Sequence, residues 1–394
     1  MRVVQINVTF GVGSTGRIAK DIHNYLSDQD IESHVIYGRN PYLKGSNIYH
    51  VGNILSFYLD VLLTRFTGLV GYFSFIPTLI TINKIKHIKP NIIHLHNIHG
   101  YYLNIPMLLR FLAKFSGKLV WTLHDEFIYT GKCAHTESCS KYLKECQTCP
   151  LVKEYPKSLW FDWSRLMFNQ KKKLIAQLKS IVYVTPSNWL ANKTVGSLIS
   201  GQRIEVINNG IRTESFKKMK KIIETKSSSS KIRLLTLIAN LDNKIKGHHW
   251  IEKFASEIDN EQFEFYVVGS GKIHYQHPSI HYIERTNSLE ELVCLYNSAD
   301  YFLILSEHDN YPTVCLEASS IGLPIIGFDI GGVKEAIVNT PYKLFSYGDK
   351  NIIPFISELK KNSLDGFEMA SKKNLDYSHM TSQYLKIYEE LIHD

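Results

Sequence analysis

Ser306-Glu307-His308-Asp309-Asn310-Tyr311-Pro312-Thr313-Val314-Cys315-Leu316-Glu317 is the stretch on which the reading of this chain turns. It follows an apolar run, Tyr301–Leu305, with the length and composition of a buried strand. Pro312 then suits the first turn of a helix, where its missing amide proton would have no partner. Asp309 falls in the loop, and Glu317 falls in the helix eight residues later. A loop carboxylate can accept hydrogen bonds from sugar hydroxyls, and a carboxylate on the helix can hold a ribose diol. Between them, the turn Tyr311-Pro312-Thr313-Val314 suits a diphosphate, through the N–H groups of Tyr311, Thr313 and Val314, since Pro312 has none. They lack intrahelical partners and carry the positive end of the helix dipole. A solvated acidic loop ahead of an ordinary helix would show the same residues.

Working outward, the same strand–loop–helix alternation recurs. Val3–Val8, His34–Tyr37, Ile92–His96, Leu119–His124 and Ile181–Thr185 read as strands, with helical spacing in the segments between them. The pattern restarts at Ile232–Ala239 and continues through Phe263–Val268, Ile280–Ile283, Tyr301–Leu305 and Pro324–Phe328. Two doubly wound α/β units in tandem are the expectation. The expected domains are residues 1–210, a linker at 211–231, residues 232–376, and a C-terminal helix at 377–394 packing back on the first domain. Lys217–Lys231 is Lys-rich and contains Ser227-Ser228-Ser229-Ser230, which resists regular structure.

The bulk numbers fit that plan. A chain of 394 residues, 44% hydrophobic and 21% charged, can bury two cores and is not disordered in composition. The net charge of +8 is uneven. Residues 1–200 hold 23 Lys+Arg against 11 Asp+Glu, and the remainder holds 22 against 26. A basic first half suits an anionic membrane surface or a phosphate-bearing substrate; a solvated basic face reads the same way. The runs Lys171-Lys172-Lys173 and Lys84–Lys89 lack the interleaved aromatics of a nucleic-acid groove, so no nucleic-acid partner is expected. The start reads as a buried strand and not as a signal peptide. Ile54–Ile82 is apolar but broken by Asp60, Arg65, Gly68, Gly71 and Pro77, so it could lie on a membrane without crossing it. The expected address is the cytoplasm, with peripheral contact at the inner face of the plasma membrane.

Gly11-Val12-Gly13-Ser14-Thr15-Gly16 follows the first strand and opens a helix. Gly13 and Gly16 let backbone approach a phosphate or sugar. The spacing also fits a dinucleotide fingerprint, but the second strand ends Tyr37-Gly38-Arg39 without the ribose-binding acid. That disfavours an NAD(P) oxidoreductase.

Asp309-x7-Glu317, followed by Gly322-Leu323-Pro324-Ile325-Ile326-Gly327-Phe328-Asp329-Ile330-Gly331-Gly332, resembles the E-x7-E signature of glycosyltransferase family 4, with Asp in place of the first Glu. Ile207-Asn208-Asn209-Gly210-Ile211, Ser187-Asn188-Trp189-Leu190 and Val268-Gly269-Ser270-Gly271 resemble further elements of that family. The Asp-Asn-aromatic-Pro form is similar to bacterial exopolysaccharide and O-antigen enzymes of the colanic-acid type. The resemblance implies a GT-B fold, two Rossmann-like domains facing an interdomain cleft. It also implies sugar transfer, with retention, from a nucleotide-sugar donor to a glycan or lipid-linked acceptor. On matching positions it implies Glu317 at the ribose, Asp309 at the transferred sugar, His124 near the sugar, and Lys246 on the donor diphosphate. The family's phosphate-binding Arg falls at or near Asn240, which departs from the pattern; Lys244 could compensate. No D-x-D motif stands in the expected place, so catalysis without a bound divalent metal is expected. A sugar-nucleotide epimerase, or a binding or scaffold protein with a decayed site, is the alternative on the same architecture.

Cys133, Cys139, Cys146 and Cys149 form a C-x5-C-x6-C-x2-C cluster. That spacing could wrap a tetrahedral structural zinc; unligated thiols or a redox pair are the other readings.

Overall fold

The computed structural model describes residues 1–39, 42–222, 230–286 and 288–393. The chain divides into two compact units, Met1–Asn208 with Met380–Asp394, and Asn209–His379.

The first unit is built on seven strands: β1 (Arg2–Asn7), β2 (Glu32–Tyr37), β3 (Ile48–His50), β4 (Ile92–Leu95), β5 (Lys118–Thr122), β6 (Ile181–Thr185) and β7 (Ile204–Val206). They lie in the order β3-β2-β1-β4-β5-β6-β7, and every pairing is parallel. Val3, Val4 and Ile6 of β1 are fully buried, as are Ile92, Ile93 and Leu95 of β4. A parallel sheet covered on both faces reads as such a near-continuous apolar run. The edge strands β3 and β7 are three residues each and only partly buried, and their periodicity is too short to read from sequence.

The second unit repeats the plan with β8 (Ile232–Ile238), β9 (Phe263–Gly269), β10 (Ile280–Glu284), β11 (Tyr301–Ile304), β12 (Ile325–Phe328), β13 (Pro341–Phe345) and β14 (Glu368–Met369). The order is β10-β9-β8-β11-β12-β13-β14, parallel except for the last pair. Both orders reverse direction beside their first strand, between β1 and β4 and between β8 and β11. Such a switch point opens a crevice at the carboxyl ends of the strands, where open α/β sheets bind ligands.

Part of the expected linker is helical. Thr213–Ile222 forms a helix because Phe216, buried, belongs to the core of the second unit. Ser227, Ser228 and Ser229 lie outside the described residues. The final helix, Tyr377–His393, buries Met380, Tyr384, Ile387, Tyr388 and Leu391 at helical spacing in a core shared with Val3, Ile18, Ile22, Val120 and Val182. Full burial of one such side chain contributes about 2 kcal/mol, so this helix is part of the first unit's stability.

Candidate active site

In the second unit, the loops leaving β8 and β11 flank the switch point, and each supplies one charged group. Asn243 caps a short 3-10 turn, Lys244–Lys246, by accepting from the Ile245 N–H at 3.2 Å. Gly247 ends the turn at φ 74°, and a Cβ there would lie 1.9 Å from the Leu305 carbonyl oxygen. Only glycine lets this turn lie against the end of β11. The Glu307 N–H donates to the Ile245 carbonyl at 2.7 Å and ties the two loops together.

Lys246 Nζ then donates to Asp309 Oδ2 at 2.6 Å. The Lys246 side chain is 32% exposed and that of Asp309 16%, so a ligand can reach both. The backbone of Asp309 is fixed from the far side. Its carbonyl accepts from the Gly332 N–H at 2.9 Å, and a Cβ at Gly331 would sit 2.0 Å from that oxygen. The Gly331-Gly332 pair therefore serves to position Asp309.

Pro312 precedes the helix Thr313–Ser320, with φ −69° and ψ 116° and no side-chain cap. Thr313 and Val314 are partly exposed, and no acidic residue occupies the first turn. Tyr311 is buried, and burial pushes its hydroxyl well above the ordinary phenol range. Glu317 lies deeper than Asp309, at 3% exposure, and its Oε2 accepts from the Tyr296 hydroxyl at 2.9 Å. Asn240 is exposed and turned to its own loop, where Oδ1 accepts from the Asp242 N–H at 3.0 Å. No cation stands at that position, and Lys244 is exposed.

In the first unit, the Gly11–Gly16 loop closes on itself through Gly11 N–H to the Gly16 carbonyl at 2.8 Å. Gly13 needs its φ of 70°, whereas Gly16 needs the space, because a Cβ would lie 2.8 Å from Thr9 Oγ1. The helix that follows, Gly13–Asp28, has no acidic first-turn residue and no side-chain cap.

His124 belongs to a chain of buried and half-buried imidazoles. Its Nε2 lies 3.0 Å from His96 Nδ1, and His96 Nε2 lies 3.1 Å from Gln5 Oε1. His94 bridges Thr122 Oγ1 at 2.8 Å and the Tyr388 hydroxyl at 2.7 Å, and Tyr384 bonds the same Thr122 at 2.9 Å. Burial holds His124 down at about 4, against the pull of Asp125, so the ring is neutral near pH 7. Burial also lowers His94 and His96 well below the usual histidine range. Burial alone would raise the Asp125 carboxyl, but His99, 2.6 Å away, holds it at about 2.

The sequence reading named neither Tyr296 nor Gln5, Tyr384 and Tyr388. Nothing near Glu317 or His94 in the chain signals them: Tyr296 is 21 residues from Glu317, and Tyr388 is 294 residues from His94. The four cysteines of the cluster are free thiols. They line one small cavity in the first unit, with the Cys133 and Cys149 sulfurs 3.8 Å apart.

Comparison with known proteins fits this geometry. Residues 15–215 match the family described as Glycosyltransferase Family 4, and residues 232–352 match Glycosyl transferases group 1. The colanic acid biosynthesis glycosyl transferase WcaC of Escherichia coli (strain K12) is 24% identical over 418 residues, covering 99% of this chain and 100% of that protein. Among solved structures, Anabaena HepE in complex with UDP-glucose superposes with a TM-score of 0.61 at 14% identity, covering 99% of this chain and 100% of that one. Sucrose-phosphate synthase from Thermosynechococcus elongatus gives a TM-score of 0.65 at 10% identity, covering 100% and 99%. With two parallel-sheet α/β units of the GT-B class and a family match over half its length, the chain belongs to Glycosyltransferase Family 4 and is a glycosyltransferase.

Proposed function

We propose that this enzyme transfers a sugar, with retention of anomeric configuration, from a nucleotide-sugar donor to a lipid-linked glycan acceptor in bacterial surface-polysaccharide synthesis. The observation that carries the reading is the Lys246–Asp309 pair beside the uncapped helix Thr313–Ser320, at the switch point of the second sheet. A diphosphate leaving group gains negative charge as the glycosidic bond breaks. A preorganised cation and a helix N-terminus stabilise that charge more in the transition state than in the ground state.

On this reading the donor engages the second unit. Its diphosphate takes Lys246 away from Asp309 and meets the N–H groups of Thr313 and Val314. Asp309, released, accepts from hydroxyls of the transferred sugar. Glu317, held by Tyr296, receives the ribose diol. Lys246 supplies the charge neutralisation that a divalent ion supplies elsewhere, so transfer proceeds without a bound divalent metal. The departing phosphate takes the acceptor proton on the face where the new bond forms, which retains configuration. Gly13 and Gly16 give an acceptor or donor oxygen close access to backbone in the first unit, and His124, just past the end of β5, stands beside a hydroxyl of the sugar. The names of the relatives support the substrate class: one is a colanic acid enzyme, and another was solved with UDP-glucose.

The surface of the first unit supports a membrane-borne acceptor. Helices Ile54–Thr67 and Phe75–Ile88 expose Leu55, Tyr58, Phe75 and Ile76, each more than half accessible, and the adjoining loop exposes Trp160. Phe66 and Trp160 pack with ring centroids 5.0 Å apart, which joins loop to helix. The sole acidic residue of the two helices, Asp60, is buried and satisfied by Thr64 and Ser74. Among the described residues, no helix is long and apolar enough to cross a membrane. Two apolar, aromatic helices whose one acid is buried, in a basic unit, fit the interface of an anionic bilayer.

Purified enzyme, a panel of UDP-, GDP- and dTDP-sugars, and polyprenyl-pyrophosphate glycans in anionic vesicles test the proposal. Transfer to the lipid fraction is expected, with the product anomer matching the donor by proton NMR. Donor consumption without acceptor would favour an epimerase, and an inverted anomer would remove retention.

A further inference from the structure

We propose that Cys133, Cys139, Cys146 and Cys149 bind one zinc ion that pins the loop between β5 and the helix Ser164–Ile175, a structural site separate from sugar transfer.

The first observation is geometric. Four thiolates around one zinc, with zinc–sulfur bonds of about 2.3 Å, stand about 3.8 Å from one another. Cys133 and Cys149 already have that separation, 3.8 Å. All four cysteines, with Tyr142 and Pro150, line a single cavity of about 10 Å³, the room of one small ion or water. Among the described residues, no three of the four sulfurs lie within 4.8 Å of one another, so binding draws in Cys139 and Cys146. Cys146 and Cys149 bracket a tight turn at Thr148, whose φ of 48° brings the two ends round. The Gly131 N–H donates to Cys146 Sγ at 3.2 Å.

The second observation is independent of the first and concerns charge. Lys132 and Lys171 are buried, at 0% and 6% exposure. Their ammonium groups donate only to carbonyls: Lys132 to Val152 at 2.7 Å and Lys171 to Phe127 at 2.6 Å. Among the described residues, neither has a carboxylate within ion-pairing distance. Unpaired buried charge is costly. Lys132 directly precedes Cys133 in the chain, and both carbonyls belong to the same loop as the four cysteines. Zinc with four thiolates carries a net charge of −2, which two lysines neutralise. Each thiol that binds gives its proton to solvent, and no oxidant or reductant is involved.

The segment the ion would hold contains little regular structure besides two short 3-10 turns, Phe127–Tyr129 and Lys141–Leu143. One end is already anchored by Glu126, fully buried, which accepts from the Thr136 N–H at 2.6 Å. A loop of this length in a compact unit needs such fixation.

The test is metal analysis of purified full-length chain, with cobalt reconstitution as a second measurement. About one zinc per chain is expected, set free as a mercurial reagent converts four thiolates to mercaptides. Cobalt(II) added to separate protein, stripped of zinc by a chelator and kept reduced, should give the intense visible bands of tetrahedral thiolate coordination. Cys146→Ser should lower both the metal content and the melting temperature, with the lost metal distinguishing it from a packing defect. A metal-free chain with four freely reactive thiols, a Cys133–Cys149 disulfide by mass spectrometry, or cobalt bands that Cys146→Ser leaves unchanged would each overturn the proposal.

Discussion

The two units place polar side chains at the same position in the same sheet order, yet they treat them in opposite ways. In the centre of the first sheet, His94 of β4 is fully buried and spends both ring nitrogens on protein partners, Thr122 and Tyr388. Its neighbour His96 does the same with Gln5 and His124. At the edge of the second sheet, Lys246 and Asp309 have one another and remain partly exposed. The difference teaches which groups a substrate can recruit. A buried, fully satisfied network gains nothing from a ligand and fixes geometry. A half-exposed ion pair contributes little to folding, about 0–1 kcal/mol, and can exchange its partner for a phosphate at small cost. On the proposed reading, the second unit grips the donor and the first aligns the sugar.

Lys246→Met is the sharpest way to break that contrast. Loss of a cation placed at a developing charge should lower kcat/KM by about 10²–10³-fold, with an unchanged melting temperature. A large drop in melting temperature would mean the pair is structural and the comparison mistaken. His124→Ala should cost less, about tenfold, the value of one hydrogen bond of about 1.4 kcal/mol. Equal losses in the two variants would erase the distinction between grip and alignment.

Acid sensitivity separates the units without measuring activity. His124 titrates at about 4 in the folded chain and near the ordinary 6.5 when unfolded. Between those values the unfolded state binds the extra proton, so stability rises with pH there and is lost as pH falls from 6.5 toward 4. His94 and His96, also lowered by burial, act in the same direction. Asp125 acts only at lower pH, because its folded value is about 2. Thermal melts across this range should show the first unit weakening, with a shallower acid slope in His96→Gln. An identical slope in the variant would remove the network from the account. The smallest effect is expected for Tyr384→Phe, which deletes one buried hydroxyl bond to Thr122 and should cost about 1 kcal/mol by denaturant unfolding.

What the sequence made legible follows from range. Asp309, Pro312 and Glu317 lie within one strand–loop–helix segment, so their spacing groups them about one helix N-terminus, while their roles follow from the family resemblance. Lys246 was reached through family resemblance, because its pairing with Asp309 spans 63 residues. The roles of Gly247 and Gly331 as close-approach positions became visible only with coordinates, since each answers to a carbonyl from another loop. Tyr388 at His94 and Tyr296 at Glu317 carry no local signal, because a tyrosine on an amphipathic helix looks the same whether or not its hydroxyl meets a buried partner. The exposed face of Ile54–Thr67 and Phe75–Ile88 was legible only as apolar character, because periodicity cannot tell a surface from a core.

The most direct test of the claim that the second unit grips the donor is calorimetric titration of the chain with UDP-, GDP- and dTDP-sugars, wild type beside Lys246→Met and Glu317→Gln. The account predicts that one nucleotide class binds the wild type and binds both variants at least tenfold more weakly. Equal affinity in all three proteins would contradict it.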